Sequence, residues 1–171
     1  RELSDRTESV VHTDSARMAA LWKIREEGSG YSTRMADSER WSGWEDAAVP
    51  PENLGAYLRE FDALLESYGR KGVTYGHYGD GCIHVRIDFD LLSNPGARTY
   101  REFMEAAADL VVRHGGSVSG EHGDGQARSE LLSRMYPPEV IRAFERFKSV
   151  FDPEDVHNPG QIAQPRPLDE D

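Results

Sequence analysis

The chain has 171 residues, which is long enough for one domain with a substantial buried core. Its 31 acidic residues against 20 basic ones give a net charge of −11, which argues against nucleic acid or an anionic membrane surface as a partner. No apolar run reaches the roughly 18–20 residues that cross a bilayer, so we expect no membrane span. The single cysteine, Cys82, excludes an internal disulfide and indicates a cytoplasmic protein. The sequence shows no charged-then-apolar leader, and because it begins at Arg1 rather than at a methionine, we interpret it as a piece of a longer protein.

The predicted elements follow from apolar periodicity, capping residues and turn residues. In chain order they are a helix capped by Asp14 and ending near residues 28–30, a loop over 28–43, a short strand over 44–49, a helix over 51–69, a β-hairpin over 73–89, a helix over 97–114, a brief strand over 117–119, helices over 124–134 and 138–149, and an irregular tail over 151–171. This order does not give a regular parallel βαβ series. It favours an α+β domain in which helices pack on one face of an antiparallel sheet.

The hairpin is the first element with functional side chains. Asp80-Gly81 is a dipeptide favoured in two-residue type I′ turns, which predicts that His77 lies directly opposite His84. Opposed residues share a face of the sheet, with Cβ atoms about 4.5–5.5 Å apart. The same register puts one apolar set of side chains toward a core (Ile83, Val85, Ile87 and Phe89) and one polar set beside His77 on the other face (Cys82, His84, Arg86 and Asp88).

Two opposed imidazoles indicate a site for Zn²⁺ or a similar divalent ion, but they do not complete it. We expect Glu121 to be the third ligand, because it lies in a glycine-flanked loop over residues 119–125 where a carboxylate can reach across. Two histidines and one carboxylate leave an open coordination position, as in catalytic metal sites. Spacing alone leaves open the alternative that both histidines simply pack in a polar sheet face.

The other chemically active side chains are interpreted as structural. Asp80 and Asp124 fit turn positions, and three histidines show no partner pattern (His12, His114 and His157). The sequence has no glycine-rich phosphate-binding loop after a strand, so it indicates no nucleotide site of its own.

Several ordered motifs resemble those of a known family. Gly-His-x-Gly-Asp-Gly-x-x-His over residues 76–84 precedes Gly-Glu-His-Gly-x-Gly over 120–125, and Phe-Asp-Pro and Asn-Pro-Gly follow over 151–153 and 158–160. In this order the motifs resemble the C-terminal domain of the FAD-linked oxidases, the vanillyl-alcohol-oxidase type flavoproteins that include D-lactate and D-2-hydroxyglutarate dehydrogenases. Trp-Glu-Asp-x-Ala-Val-Pro-Pro over 44–51 resembles a subgroup in which the flavoprotein is fused to an iron–sulfur region.

The resemblance implies a fold, a reaction and site residues. The fold would be a ferredoxin-like α+β domain with C-terminal helices and an irregular tail, packed on the parent protein's FAD-binding domain. The reaction would be FAD-dependent oxidation of D-2-hydroxyglutarate or D-lactate to the 2-oxo acid, with a 4Fe–4S cluster elsewhere in the parent chain as electron acceptor. By motif position, His77, His84 and Glu121 would bind the metal, and His122 would accept the substrate proton.

Two further residues match positions of the family. Arg25 would hold the substrate carboxylate; its alternative is a surface arginine paired with a nearby glutamate. Asn158 lies in the tail motif that packs near the flavin; its alternative is a plain turn residue. The chain departs from the family at Cys82, where many relatives have asparagine, and it shows no lysine near Trp44, where some relatives have one. Both departures leave the choice of substrate open.

Two rival functions are compatible with the histidine pattern. A metal-dependent hydrolase would use metal-bound water with His122 as the base and would need no flavin. A non-catalytic metal-binding module would use the histidines only to stabilise the fold. The resemblance favours the dehydrogenase, in which this chain alone would be inactive because the hydride acceptor lies in another domain.

Overall fold

A computed structural model describes residues 10–34 and 40–170, and the chain divides into two compact units over residues 1–37 and 38–171. The first unit holds helix α1, Ser15–Arg34. Asp14 caps this helix as predicted, since its Oδ1 accepts a 2.8 Å hydrogen bond from the Arg17 backbone N–H. The predicted end near residues 28–30 is wrong, because α1 continues to Arg34. Glycine costs a helix only about 1 kcal/mol relative to alanine and does not by itself end one.

The predicted loop over 28–43 is shorter than expected, because α1 continues to Arg34 and the first strand begins at Trp41. Residues 35–39 lie outside the described residues. The elements of the second unit are strand β1 (Trp41–Ala48), helix α2 (Leu54–Ser67), strands β2 (Gly72–His77) and β3 (Cys82–Ile87), and helices α3 (Asn94–Arg113), α4 (Gly125–Ser129), α5 (Leu132–Met135) and α6 (Pro138–Phe151). Short 3₁₀ turns cover Pro51–Asn53 and Tyr78–Asp80.

The three strands form one antiparallel sheet of order β1–β3–β2. The brief strand predicted over 117–119 is a single antiparallel bridge between Ala48 and Ser117. Helices α2 and α3 supply the aromatic side chains Phe61 and Phe103 to the same core cluster as Ile83, in the middle of β3. The predicted α+β, ferredoxin-like arrangement, with helices on one face of an antiparallel sheet, is confirmed.

The helices pack on the sheet because their apolar residues recur at helical spacing. In α2 the buried residues are Leu54, Tyr57, Phe61 and Leu65, spaced three or four apart. Burying each large apolar side chain of this kind contributes about 1.5–3 kcal/mol. Tyr57 is held by a 2.8 Å hydrogen bond that its Oη accepts from Trp44 Nε1, and burial raises the pKa of the Tyr57 hydroxyl. Strand β1 is thereby joined to α2 by a polar contact inside the core.

The single helix predicted over 124–134 is two short helices, α4 and α5, and the prediction is wrong at this point. The Ser129 hydroxyl donates to the carbonyl of Gly125, four residues earlier, and accepts from the Ile162 backbone N–H of the tail. Such bonds from a serine to the preceding turn bend helices. The tail therefore contacts the helical segment at the residue where the first helix ends.

The hairpin register differs from the prediction by two residues. His77 pairs with Cys82 and Tyr75 pairs with His84, so the predicted direct pair of His77 and His84 is wrong. The loop is longer than two residues because Gly81, at φ 75°, donates its N–H to the Tyr78 carbonyl and accepts at its own carbonyl from the Val49 N–H. A shift of two residues leaves every side chain on its predicted face.

The predicted core face of β3 is confirmed, since Ile83, Val85 and Ile87 are fully buried. The polar face is less exposed than expected, because Cys82 and His84 are also buried. Residues 152–170 form turns and bends after α6. None of the described helices is both long and apolar enough to cross a membrane.

Candidate metal centre

Strand β1 presents two acidic residues next to the polar face of β3. Asp46 is 1 % exposed and the Glu45 side chain is 19 % exposed. The register between β1 and β3 shifts between Trp44 and Ala47, so these two consecutive residues depart from the regular alternation of a strand. The Glu45 carboxylate accepts a 3.0 Å hydrogen bond from Tyr75 Oη and lies 3.4 Å from Arg86 Nη1. Burial, followed by the charge of Glu45, raises the pKa of Tyr75. These contacts hold β1 and β2 together on either side of β3.

The glycine-rich loop lies directly on this polar face. Gly120 donates its backbone N–H to the Asp46 carbonyl at 2.8 Å. A Cβ at position 120 would lie 2.9 Å from the Ala48 Cβ and 3.2 Å from Cys82 Sγ, so only glycine allows this approach without displacement. The close packing brings the next two residues, Glu121 and His122, over the middle of the sheet.

His84 is bound at both ring nitrogens. Its Nδ1 contacts the backbone carbonyl of Glu45, and its Nε2 lies 2.9 Å from Glu121 Oε1. A carbonyl only accepts, so Nδ1 must donate, and in a neutral imidazole the Nε2 lone pair then faces a carboxylate oxygen. Two acceptors at this distance need a proton or a cation between them. Metal-binding histidines commonly donate their second ring nitrogen to a backbone carbonyl in this way.

Two more histidines contact the same carboxylate. His77 Nε2 lies 3.7 Å from Glu121 Oε2, and His122 Nε2 lies 3.5 Å from Glu121 Oε1. The His122 ring stacks on the His84 ring with centroids 4.8 Å apart and planes within 6°. The structure thus brings together all four residues that the sequence predicted for this centre, His77, His84, Glu121 and His122. We call these four residues the histidine cluster.

The histidine cluster is open to solvent on one side. The side chain of His84 is 7 % exposed, whereas those of Glu121 and His122 are 38 % and 50 % exposed. Imidazole nitrogens with carboxylate oxygens are the donor set of catalytic zinc sites, which keep a position free for water or substrate. The geometry therefore combines a buried, fixed imidazole with accessible neighbours.

Asp46 also belongs to the surroundings of the cluster, and sequence reasoning missed it. Ligand atoms of Asp46, His84, Glu121 and His122 all lie within 4.8 Å of one another. A signal was present in the sequence, because aspartate is depleted in strands and here follows Trp44 in a predicted strand. Only the fold reveals that its side chain points to the loop rather than to solvent.

Cys82 is packed beneath the loop, in surroundings that disfavour its thiolate form. It is 6 % exposed, and its Sγ lies 3.9 Å from Asp46 Oδ1. Burial, followed by the charges of Glu121 and Asp46, raises the pKa of the thiol to about 11. A thiol with a raised pKa in a buried, negatively charged environment reacts slowly.

Two predicted site residues remain, and each is described by its own surroundings. Arg25 lies on α1 in the first unit, with its guanidinium 5.7 Å from the centre of the Trp22 ring. Asn158 lies in the tail at φ 50° and lines a groove of about 570 Å³ formed with α6. Of the histidines interpreted as structural, His114 pairs with Glu60 at 3.2 Å.

Similarity to known proteins agrees with the motifs. The chain matches the family of FAD linked oxidases, C-terminal domain, over residues 3–162. It is 36 % identical over 121 residues to a D-2-hydroxyglutarate dehydrogenase of Haemophilus influenzae and 41 % identical over 121 residues to one of Pseudomonas putida. It is 36 % identical over 119 residues to a D-lactate dehydrogenase of Archaeoglobus fulgidus.

The chain spans only part of the length of these relatives. Each alignment with the two D-2-hydroxyglutarate dehydrogenases covers 71 % of this chain and 12 % of the relative. The alignment with the D-lactate dehydrogenase covers 70 % of this chain and 26 % of the relative. Because the family match covers nearly the whole sequence, the chain belongs to the FAD-linked oxidases, as a C-terminal domain of that family.

Proposed function

We propose that this chain is the substrate- and metal-binding domain of an FAD-dependent dehydrogenase that oxidises D-2-hydroxyglutarate or D-lactate to the 2-oxo acid. The observation that carries the proposal is the convergence of His77, His84 and His122 on the Glu121 carboxylate at a place open to solvent. Membership of the FAD-linked oxidase family and the names of the relatives support the same conclusion.

In this proposal His77, His84 and Glu121 hold a divalent ion, and Zn²⁺ fits their nitrogen and oxygen donors. The bound ion would supply Lewis acidity toward the 2-hydroxyl and carboxylate of the substrate. The hydrogen bond from His84 Nδ1 to the Glu45 carbonyl fixes the ring so that Nε2 faces the ligand position. The exposed fractions of Glu121 and His122 leave room for a small acid beside them.

His122 is the proposed proton acceptor. Its Nδ1 lies 4.0 Å from the buried Asp46 carboxylate, and its Nε2 lies on the side of Glu121. The Nε2 lone pair takes the proton of the 2-hydroxyl group, and the hydrogen on C2 leaves as hydride, so the substrate loses two electrons and becomes the 2-oxo acid. FAD, bound by a separate FAD-binding domain of a longer protein, supplies the hydride acceptor.

The other assignments belong to the same proposal. Arg25 holds the substrate carboxylate through its guanidinium fork, and Asn158 lies near the flavin. The longer protein passes electrons from the flavin to a 4Fe–4S cluster and works in the cytoplasm. The roles of Arg25 and Asn158 rest on the family motifs at residues 22–26 and 158–160. The iron–sulfur cluster rests on the motif over 44–51, and the cytoplasmic location rests on the single cysteine.

The first experiment is a calorimetric titration of Zn²⁺ into the chain. We expect binding of one ion per chain, and no binding by a His77→Ala/His84→Ala variant, because both rings face Glu121. A matched control, His12→Ala/His157→Ala, removes two histidines outside the histidine cluster and should bind as tightly as the unchanged chain. Absence of binding by the unchanged chain, or equal loss in the control, would contradict the metal assignment.

A second experiment separates the dehydrogenase from a hydrolase. The Zn²⁺-loaded chain should bind D-2-hydroxyglutarate or D-lactate, and the His77→Ala/His84→Ala variant should not. Without an FAD-binding domain, the chain should not transfer electrons from either acid to a dye, because it has no hydride acceptor. Dye reduction by the chain alone, or zinc-dependent cleavage of a simple ester, would instead contradict the proposed role.

A further inference from the structure

Asp46 is a buried charge with an unusually complete set of hydrogen-bond donors. Its Oδ2 accepts from the Ser119 hydroxyl at 3.1 Å and from the His122 backbone N–H at 2.9 Å. The Glu121 backbone N–H donates to Oδ1 at 3.0 Å and to Oδ2 at 3.2 Å. A buried carboxylate is costly unless donors of this kind surround it. The buried carboxylate therefore needs the donors of the loop, and these donors need the carboxylate as their acceptor.

Residue 46 holds four consecutive residues of the loop. Its main-chain carbonyl accepts from Gly120, while its side chain accepts from Ser119, Glu121 and His122. The loop has glycine at positions 120, 123 and 125, so its backbone would otherwise occupy many conformations. Strand β1 pairs with β3 on both sides of Asp46, at Trp44 with Val85 and at Ala47 with Ile83, so the residue is attached to the sheet although the register shifts between these two pairs.

The other end of the loop is held by Arg128. Its Nε and Nη2 donate to the Gly123 carbonyl at 3.2 Å and 2.6 Å, and its Nη2 lies 4.0 Å from Asp46 Oδ2. The guanidinium thus balances part of the buried negative charge while fixing the residue that follows His122. Glu121 and His122 are consequently held from both sides. Residues 119 and 120 are bonded to Asp46, and Gly123 is bonded to Arg128.

We propose that Asp46 is a positioning residue, whose buried carboxylate holds the backbone of Glu121 and His122 so that their side chains meet His84. Both carboxylate oxygens are engaged by N–H and O–H donors, which favours this role over direct ligation of a metal. Asparagine cannot replace aspartate here, because its amide NH₂ would face a backbone donor. This inference rests on the proposed function, in which the positioned side chains bind a metal and accept a proton.

The test compares Asp46→Asn with Asp124→Asn, which removes a carboxylate from the same loop without touching the contacts to Glu121 and His122. Two quantities are measured in the complete chain: the dissociation constant of Zn²⁺ by calorimetry, and the exchange rates of the Glu121 and His122 amide protons by NMR. For Asp46→Asn we expect about 10- to 100-fold weaker Zn²⁺ binding and at least about tenfold faster exchange of both amides. For Asp124→Asn both quantities should change less than about threefold.

Leu132→Ala is the control for a general loss of stability. It truncates a buried side chain on α5 and should lower the free energy of unfolding, but it changes no residue of the histidine cluster. It should leave Zn²⁺ affinity unchanged, whereas Asp46→Asn should weaken it even when both variants are fully folded. If Asp46→Asn does not fold, Ser119→Ala removes one of the same hydrogen bonds and should weaken Zn²⁺ binding about threefold to tenfold.

The outcomes separate this inference from the proposed function. The positioning role is overturned if Zn²⁺ affinity and amide exchange both stay unchanged in Asp46→Asn, or in Ser119→Ala where that variant is used. The metal assignment would still stand in that case. If the unchanged chain binds no Zn²⁺, the metal assignment fails, and amide exchange alone decides whether Asp46 holds the loop. A loss of Zn²⁺ affinity in Leu132→Ala equal to that in Asp46→Asn would also overturn the inference.

Discussion

Cys82 stands next to the histidine cluster, yet its surroundings keep it in the thiol form. The side chain is buried against Asp46, and the carboxylates of Glu121 and Asp46 disfavour a thiolate. Its position in the sequence, between the glycine-rich turn and His84, gave no indication of this chemistry. Burial and neighbouring charge, which are properties of the folded chain, determine the reactivity of the residue.

We predict that Cys82 of the folded chain reacts with iodoacetamide about 100-fold more slowly at about pH 8 than it does after unfolding in urea. The reason is that the pKa rises from 9.0 to about 11, which lowers the thiolate fraction. Because the folded pKa is raised, the contribution of the thiol to the free energy of unfolding is present below pH 9.0 and is lost as the pH rises to about 11. Mass spectrometry measures the rates, with Cys82→Ser as the unreactive control. Equal rates in the folded and unfolded chain would contradict the prediction.

At the scale of elements, the turn between β2 and β3 determines which residues face each other. Asp80-Gly81 predicted a two-residue turn, but the 3₁₀ turn over Tyr78–Asp80 and the left-handed Gly81 form a longer loop. The hydrogen bond from the Val49 N–H to the Gly81 carbonyl attaches this loop to the end of β1. As a result His77 lies diagonally across from His84, and Glu121 lies within reach of both rings.

Replacing Gly81 should disrupt the hairpin. In Gly81→Ala the new Cβ would meet the Val49 carbonyl oxygen at 1.9 Å, and the residue would keep a left-handed φ of 75°. We expect the free energy of unfolding to fall by about 2–5 kcal/mol, measured by urea denaturation. The matched control is Gly79→Ala in the same turn, where no atom lies within 4 Å of the added Cβ. That variant should change stability by less than about 0.5 kcal/mol, and equal effects of the two would refute the explanation.

The end of α6 is joined to the tail by one carboxylate. Asp152 accepts hydrogen bonds from Lys148 Nζ at 2.5 Å and from the backbone N–H groups of Val156 and His157 at 2.9 Å each. These bonds to the charged form lower the pKa of Asp152 to about 2. The first turn of the tail after the helix is therefore ordered by a charge-assisted network.

We predict that Asp152→Asn lowers the free energy of unfolding above about pH 4 and that this difference disappears as the pH falls to about 2. The sign follows from the lowered pKa: the stabilising contribution is present above the ordinary carboxyl pKa of 3.8 and is lost as the folded group is protonated near 2. Urea denaturation of both chains at several pH values gives the difference. A difference that does not depend on pH would show that the Asp152 charge is not responsible.

At the scale of the whole molecule, the second unit has an apolar surface on α6 and the tail. Four side chains on it are about 70 % exposed, namely Phe147, Val150, Phe151 and Val156. Exposed apolar patches of this kind mark interaction surfaces. Under the proposed function, we expect this surface to contact an FAD-binding domain.

Without that domain, the chain should self-associate through this surface. We expect the average mass by sedimentation to increase with protein concentration, and Phe147→Ser/Phe151→Ser to shift the chain toward the monomer, because burial of these rings drives the association. The matched control is Leu92→Ser, which removes an apolar side chain that is 87 % exposed outside this patch. A chain that stays monomeric at every concentration, or a control with the same effect, would contradict the assignment.

Much of the fold was predictable because its signals are local. Apolar spacing identified α2, a turn before it and glycines after it located α3, and strict alternation identified the buried face of β3. Helix ends were less predictable, since glycines did not stop α1 and a serine contact with the tail divided the segment over 124–134. Those boundaries depend on contacts between residues that are distant in the chain.

The sequence by itself determined most of the element types, the two faces of the hairpin and the chemical identity of the four residues of the histidine cluster, because periodicity and side-chain chemistry are properties of neighbouring residues. Only the tertiary structure decided the register of the hairpin, the buried surroundings of Cys82 and the hydrogen bonds of Asp46. The hydrogen bonds that the Asp46 carboxylate accepts from the loop join residues 73 to 76 positions apart. No local pattern encodes such a contact, since it exists only when β1 and the glycine-rich loop pack against each other.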